Sequence, residues 1–155
     1  MTETEQSWLT PVTEALQTLP ESRCLVVDIP VYRPDLARQL AAEAGLVFRD
    51  FRAEYLKLVG SAAEHVSIEA MDAWLVDCVA EAPTLFHNAE ALLACHPPER
   101  RAEWFGSLGE RTWPNRLVVP LYLFGSEIDG GQIASVALDY QALPEQGLVS
   151  RLLHS

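Results

Sequence analysis

From Cys24 to Ile29 the chain reads Cys-Leu-Val-Val-Asp-Ile, with no polar residue before Asp28. A run of that kind predicts a strand covered on both faces, and therefore an internal position in a parallel sheet. Four further runs predict strands at 46–51, 84–87, 117–124 and 134–140. The last alternates Ala134, Val136 and Leu138 inward, as an edge strand does, and Pro120 inside the fourth predicts a bulge or an irregularly paired position.

Helical spacing fills the intervals. Thr10-Pro11 opens a helix whose apolar face is Val12, Ala15, Leu16 and Leu19, and Pro20 stops it. Pro34 to Ala44 places Leu36, Ala37, Leu40, Ala41 and Ala44 on one side, with Gly45 fitting the C-terminal cap. A short helix is expected over 53–60, and Ser67 caps a longer one carrying Ile68, Met71, Leu75, Cys78 and Val79 at helical spacing. Short helix over 89–94 and a longer one over 98–111, with Ala102, Phe105 and Leu108 inward, complete the pattern. Gly125 to Gln132 reads as a turn-rich loop.

Strands alternating with helices predict a three-layer α/β domain with a mostly parallel sheet of about five strands. At 155 residues the chain fits one domain, 1–155, with 1–22 holding an N-terminal helix and 143–155 a tail that packs on the domain or on a partner.

Composition narrows the function classes. The formal net charge of −11 is spread without an acidic block, so nucleic acid is repelled at long range and direct binding to it is not expected. Arg100, Arg101, Arg111 and Arg116 fall close together, but arginines on a helix face ordinarily pair with neighbours such as Glu99 and Glu103. Cys24, Cys78 and Cys95 sit in apolar runs and form no paired framework, which fits a reducing compartment. The first residues, MTETEQSWLTP, carry neither the basic nor the apolar region of a signal peptide, and no apolar stretch approaches a membrane span. The expected location is cytoplasmic, away from membranes.

The predicted strand, turn and helix over 24–45 have the layout that cradles phosphate in P-loop proteins. The turn, however, holds Asp28, Pro30, Pro34 and Asp35 where that chemistry uses glycines and a lysine, and the only lysine of the chain is Lys57. Farther on, Thr84-Leu-Phe-His-Asn-Ala-Glu-Ala-Leu-Leu93 is similar to the apolar strand and Asp-Asn-x-Glu, Leu-Leu segment of small P-loop proteins, with His87 in the aspartate's place and Asn88 and Glu90 retained. As an order of elements over most of 7–155, the chain resembles the small P-loop-containing protein of BREX-type bacterial phage-defence systems. The resemblance implies a P-loop-NTPase-like topology and, with phosphate loop and magnesium aspartate both missing, a degenerate member. Such a member has no catalytic residue and no cofactor, and it works with other proteins of a multi-component system.

Two candidate sites follow. Asp28, Arg33, Asn88 and Glu90 are expected near the C-terminal edge of the sheet, the usual ligand position in open α/β folds. His87 and Glu90, three apart at that edge, are the residues of the alternative reading, a ligand-binding or enzymatic pocket with Asp28. The second candidate is a protein-binding surface on Trp104, expected exposed beside buried Phe105, joined by Leu148, Leu152 and Leu153. No metal site is expected, since Cys95, His96, Cys78 and His65 lack a spacing that presets two ligands on one turn. Glu54 and Lys57 lack the strand placement of a PD-(D/E)xK nuclease, and there is no G-x-S-x-G elbow.

Overall fold

A computed structural model describes residues 7–59, 65–129 and 131–145. Five parallel strands, β1 (Cys24–Asp28), β2 (Val47–Asp50), β3 (Thr84–His87), β4 (Leu117–Leu121) and β5 (Ala134–Ala137), form one sheet in the order β2-β3-β4-β1-β5. The continuous apolar run of β1 is therefore internal, between β4 and β5, and β5 is an edge. The helices are α1 (Thr10–Thr18), α2 (Pro34–Ala44), α3 (Ile68–Glu81), α4 (Glu90–Leu93) and α5 (Pro98–Glu110).

The period of two along the strands divides the core. Cys24 and Val26 of β1 face one side with Phe86, Leu117, Val119 and Leu121, against side chains of α3, α4 and α5. Leu25 and Val27 face the other with Leu85 and Val118, against side chains of α1 and α2. Each face of β1 is thus apolar because each has its own helical cover.

Pro120 sits in unbroken register with Val27 of β1, and the pairing of β3 with β4 ends at Leu85 and Val118. The carbonyl of Leu121 accepts from Ile29 of the β1 chain, whereas that of Arg116 accepts from Thr84 of β3. Backbone groups alternate sides along a strand, so the donor missing at Pro120 faces β3, where no ladder remains to need it. The strand ends sooner than 117–124, and the helix expected at 53–60 is a π turn at Arg52–Leu56.

Local signals fix the helices. Pro34 occupies the first turn of α2 and Gly45 ends it at φ 70°, a left-handed conformation favourable to glycine. The Ser67 hydroxyl accepts from the Ala70 N–H at 3.0 Å at the start of α3. Arginines finish two others: Arg116 donates to the carbonyls of Leu16, Leu19 and Pro20 in and just after the last turn of α1, and Arg23 to those of Gly109, Glu110 and Arg111 at the end of α5. Among the described residues, no helix is long and apolar enough to cross a membrane.

Trp104 corrects an expectation. It is buried, 4% exposed, because α3 covers it: its indole N–H donates to Asp72 Oδ1 at 3.0 Å, and Arg111 grips the same carboxylate through two nitrogens. The inner stripe of α5 is wide enough to take both Trp104 and Phe105, so Trp104 offers no exposed anchor. Leu148, Leu152 and Leu153 lie outside the described residues. Arg100 bonds Glu69 and Glu103, and Arg101 bonds Glu127, so the clustered arginines are individually paired.

Gly109 lets α5 pass close to the 132–133 backbone: a β-carbon there would overlap the Gln132 carbonyl and press on Ile133. On an exposed helix, Gly→Ala stabilises by about 1 kcal/mol. At this position the sign reverses, and Gly109→Ala is expected to lower stability by about 1–3 kcal/mol in urea unfolding; a stabilised variant would show that the approach relaxes freely.

Candidate functional site

The C-terminal edge of the sheet is where a P-loop protein would hold phosphate, and here the chain fills it from within. At the turn after β1, Arg33 folds onto Asp35, with Nε to Oδ1 at 3.0 Å and Nη2 to Oδ2 at 2.8 Å, and donates through Nη1 to the Pro144 carbonyl. Burial alone would raise the Asp35 carboxyl, but the Arg33 hydrogen bonds and charge, joined by the backbone N–H groups of Leu36 and Asp35, hold it below its ordinary range. The start of α2 is therefore occupied by a carboxylate of its own, already matched by the nearest cation.

Glu90 does the same at the end of β4. The residue is 6% exposed, and its carboxylate accepts three backbone N–H groups, from Tyr122 to Oε1 at 2.6 Å and from Leu123 and Phe124 to Oε2 at 2.7 Å each. Successive N–H groups turned to one point make a concave anion site, and α4 supplies the anion. Residues 122–124, expected as strand, are this nest.

Between them lies an aromatic cluster. His87 is 1% exposed. Its Nδ1 lies 3.1 Å from the Tyr122 hydroxyl and its Nε2 3.4 Å from that of Tyr32, and its ring stacks on Tyr32 and tilts against Phe48. Tyr32 donates to Asn88 Oδ1 at 3.0 Å, which leaves its oxygen to accept from Nε2–H and assigns Nδ1 as the acceptor from Tyr122. Asn88, at φ 67°, donates onward to Asp50 Oδ1 at 2.9 Å, and Asp50 also accepts the Ala53 N–H. Burial lowers His87 to about 4, opposed by the charge of Asp50 and reinforced by that of Arg38, and burial pushes the Tyr122 phenol far up.

The candidate residues are thus at one edge but do not line one pocket. Asn88 and Glu90 are spent on internal bonds, and Arg33 turns to Asp35 and Pro144. Asp28 lies against Gly125, and its carboxyl is raised by burial. An open recess of about 700 Å³ at this edge includes Tyr32, Arg33 and Tyr140 but none of Asp28, Asn88 and Glu90. His87 has both ring nitrogens engaged, and the hydroxyls it meets are tyrosines already in the network, so the arrangement provides neither an activated nucleophile nor an open anion cradle. Tyr32, Asp50 and Tyr122 escaped sequence reasoning, since nothing in their spacing marks three residues from three strand ends as neighbours. No family model, no curated protein and no solved structure matches the chain.

Replacing Glu90 by Ala strands three N–H groups, so Glu90→Ala is expected to cost about 3 kcal/mol or more, with Glu90→Gln recovering only part. Urea titration decides it, and a loss under about 1 kcal/mol would mean that water satisfies the nest unaided.

His87 is neutral in the folded protein, while the unfolded chain takes up its proton near pH 6.5. Its contribution is constant above about 6.5, falls as pH drops toward about 4, and is level below. Over that window the wild type is expected to lose about 3 kcal/mol more stability than His87→Gln. Parallel curves for the two proteins would contradict a buried neutral histidine.

Proposed function

We propose that the chain is a non-catalytic interaction or scaffold protein on a degenerate P-loop-like fold, working inside a multi-component assembly. The observation that carries the reading is that both anion-accepting backbone sites at the C-terminal edge hold the chain's own carboxylates, Asp35 at the start of α2 and Glu90 in the nest after β4. A nucleotide would meet these negative charges in place of free N–H donors, and the lysine that reaches its outer phosphates is missing.

The P-loop-like part of the reading draws on the strand order, in which the strand before the altered turn is flanked by β4 and β5, with β3 one strand removed. The order of elements likewise supports the resemblance to the small P-loop-containing protein of BREX-type systems, and with it a role in bacterial phage defence. The alternative, a ligand-binding or enzymatic pocket around Asp28, His87 and Glu90, has less to draw on, because the polar atoms of His87 and Glu90 are engaged inside the fold.

Calorimetry with ATP or GTP and magnesium tests the proposal. The expected result is no binding heat up to about 1 mM nucleotide and no phosphate release above buffer. Micromolar affinity, lost in Asp28→Ala or Arg33→Ala, would establish the turn as a working nucleotide site.

A further inference from the structure

At the opposite edge of the sheet, a cavity of about 330 Å³ opens between α1, α2 and the segments entering β3 and β4. It shares Leu9, Thr13, Gln17 and Glu43 with a second recess of about 490 Å³ along α1, so the two form one groove. Leu9, Leu40 and Leu46, themselves buried, form its floor, and the half-buried Leu16 and Ala44 with exposed Pro83 supply its apolar surface. Glu14, Glu21 and Glu43 stand exposed around it. We propose that this groove is a docking site for a basic segment of a partner protein, an apolar side chain flanked by lysines or arginines. The proposal rests on the reading of the chain as an interaction module and names its surface.

Charge matching singles out this groove. In the recess between α3 and α5, Arg100 bonds Glu69 and Glu103, and Arg111 bonds Asp72. In the recess at the C-terminal edge, Arg33 bonds Asp35. Around the α1–α2 groove the three glutamates make no side-chain hydrogen bond or ion pair among the described residues, and the one cation in the lining, Arg116, is committed to the carbonyls ending α1.

The acids are spread along an open, elongated surface, which suits cations spaced on an extended chain better than one small cation. Exposed ion pairs contribute little affinity each, so burial on the apolar surface provides most of the binding and the acids select and steer a cationic partner. The net charge of −11 adds to that attraction.

The test uses the full chain and a fluorescein-labelled synthetic peptide with a central Leu-Trp pair flanked by lysines and arginines, read by anisotropy at about 0.15 M salt. Binding is expected, weakened at least about tenfold by the combined change Glu14→Lys, Glu21→Lys and Glu43→Lys. The matched set Asp77→Lys, Glu99→Lys and Glu103→Lys, equal in charge and carried by α3 and α5 on the other face of the sheet, is expected to change it less than about threefold. Thr13→Trp, which fills the groove without altering charge, should also weaken binding, as should a Gly-Ser pair in place of Leu-Trp. All variants are first checked for unchanged circular dichroism and thermal unfolding. Absence of binding to the full chain, equal weakening by both lysine sets, or equal binding of the Gly-Ser peptide would overturn the proposal. Binding that emerges only when the chain is cut after Glu145 would overturn it too, assigning the groove to residues 146–155. These outcomes are separate from nucleotide binding at the other edge, which would refute the non-catalytic reading while leaving the groove untouched.

Discussion

A carboxylate turned inward organises the C-terminal edge of this sheet. Glu90 belongs to a helix of four residues, too short to stand by itself, yet it gathers the three N–H groups that follow β4. Burying a charge is costly unless donors replace its water, and three short charge-assisted bonds meet that requirement. The same contact fixes the backbone of Tyr122, whose hydroxyl reaches His87, and from there the network runs through Tyr32 and Asn88 to Asp50. The ends of β2, β3 and β4 and the turn after β1 are joined in one chain of hydrogen bonds, with Tyr32 laid across it.

The cations of the fold are used in a consistent way. Arg23 and Arg116 complete helix C-termini, Arg111 joins α5 to the Asp72 carboxylate of α3, and Arg33 neutralises Asp35 beside the turn after β1. With twice as many acids as lysines and arginines, one-to-one pairing of every cation would still leave carboxylates over. Where those acids rim apolar surface, the surface gains a preference for sign as well as for shape.

Much of the architecture was legible in the sequence because its signals are local. Proline in the first turn and glycine at the left-handed cap bound α2 at the expected residues, and the unbroken apolar run of β1 marked it as internal. Pro120 pointed to a bulge or an irregularly paired position; the structure has no bulge there, β1 keeping its full register, and only the pairing of β3 with β4 has ended. The departures are tertiary. Trp104 is buried because α3 brings Asp72, 32 residues away in sequence, to its indole. Residues 122–124 leave the strand because Glu90 collects their N–H groups, and no periodicity encodes that. The candidate residues of the strand-end site were placed at the correct edge, but their being turned on one another depends on Tyr32 and Tyr122, which come from other segments.

The two edges of the sheet therefore differ in what a ligand must displace. At the C-terminal edge an incoming phosphate has to break the Arg33–Asp35 pair or expel Glu90, leaving a carboxylate without partners, and it gains no lysine in return. Pro34 also withholds a backbone donor at the start of α2. At the N-terminal edge the glutamates have, among the described residues, no side-chain partner to surrender, so a cationic segment gains contacts without breaking an ion pair there. The hydrogen bonds of Arg116 to the end of α1 involve none of these glutamates. Binding there asks only for loss of water from an open surface, and that asymmetry is the physical reason for placing the partner opposite the position a P-loop protein would give its nucleotide.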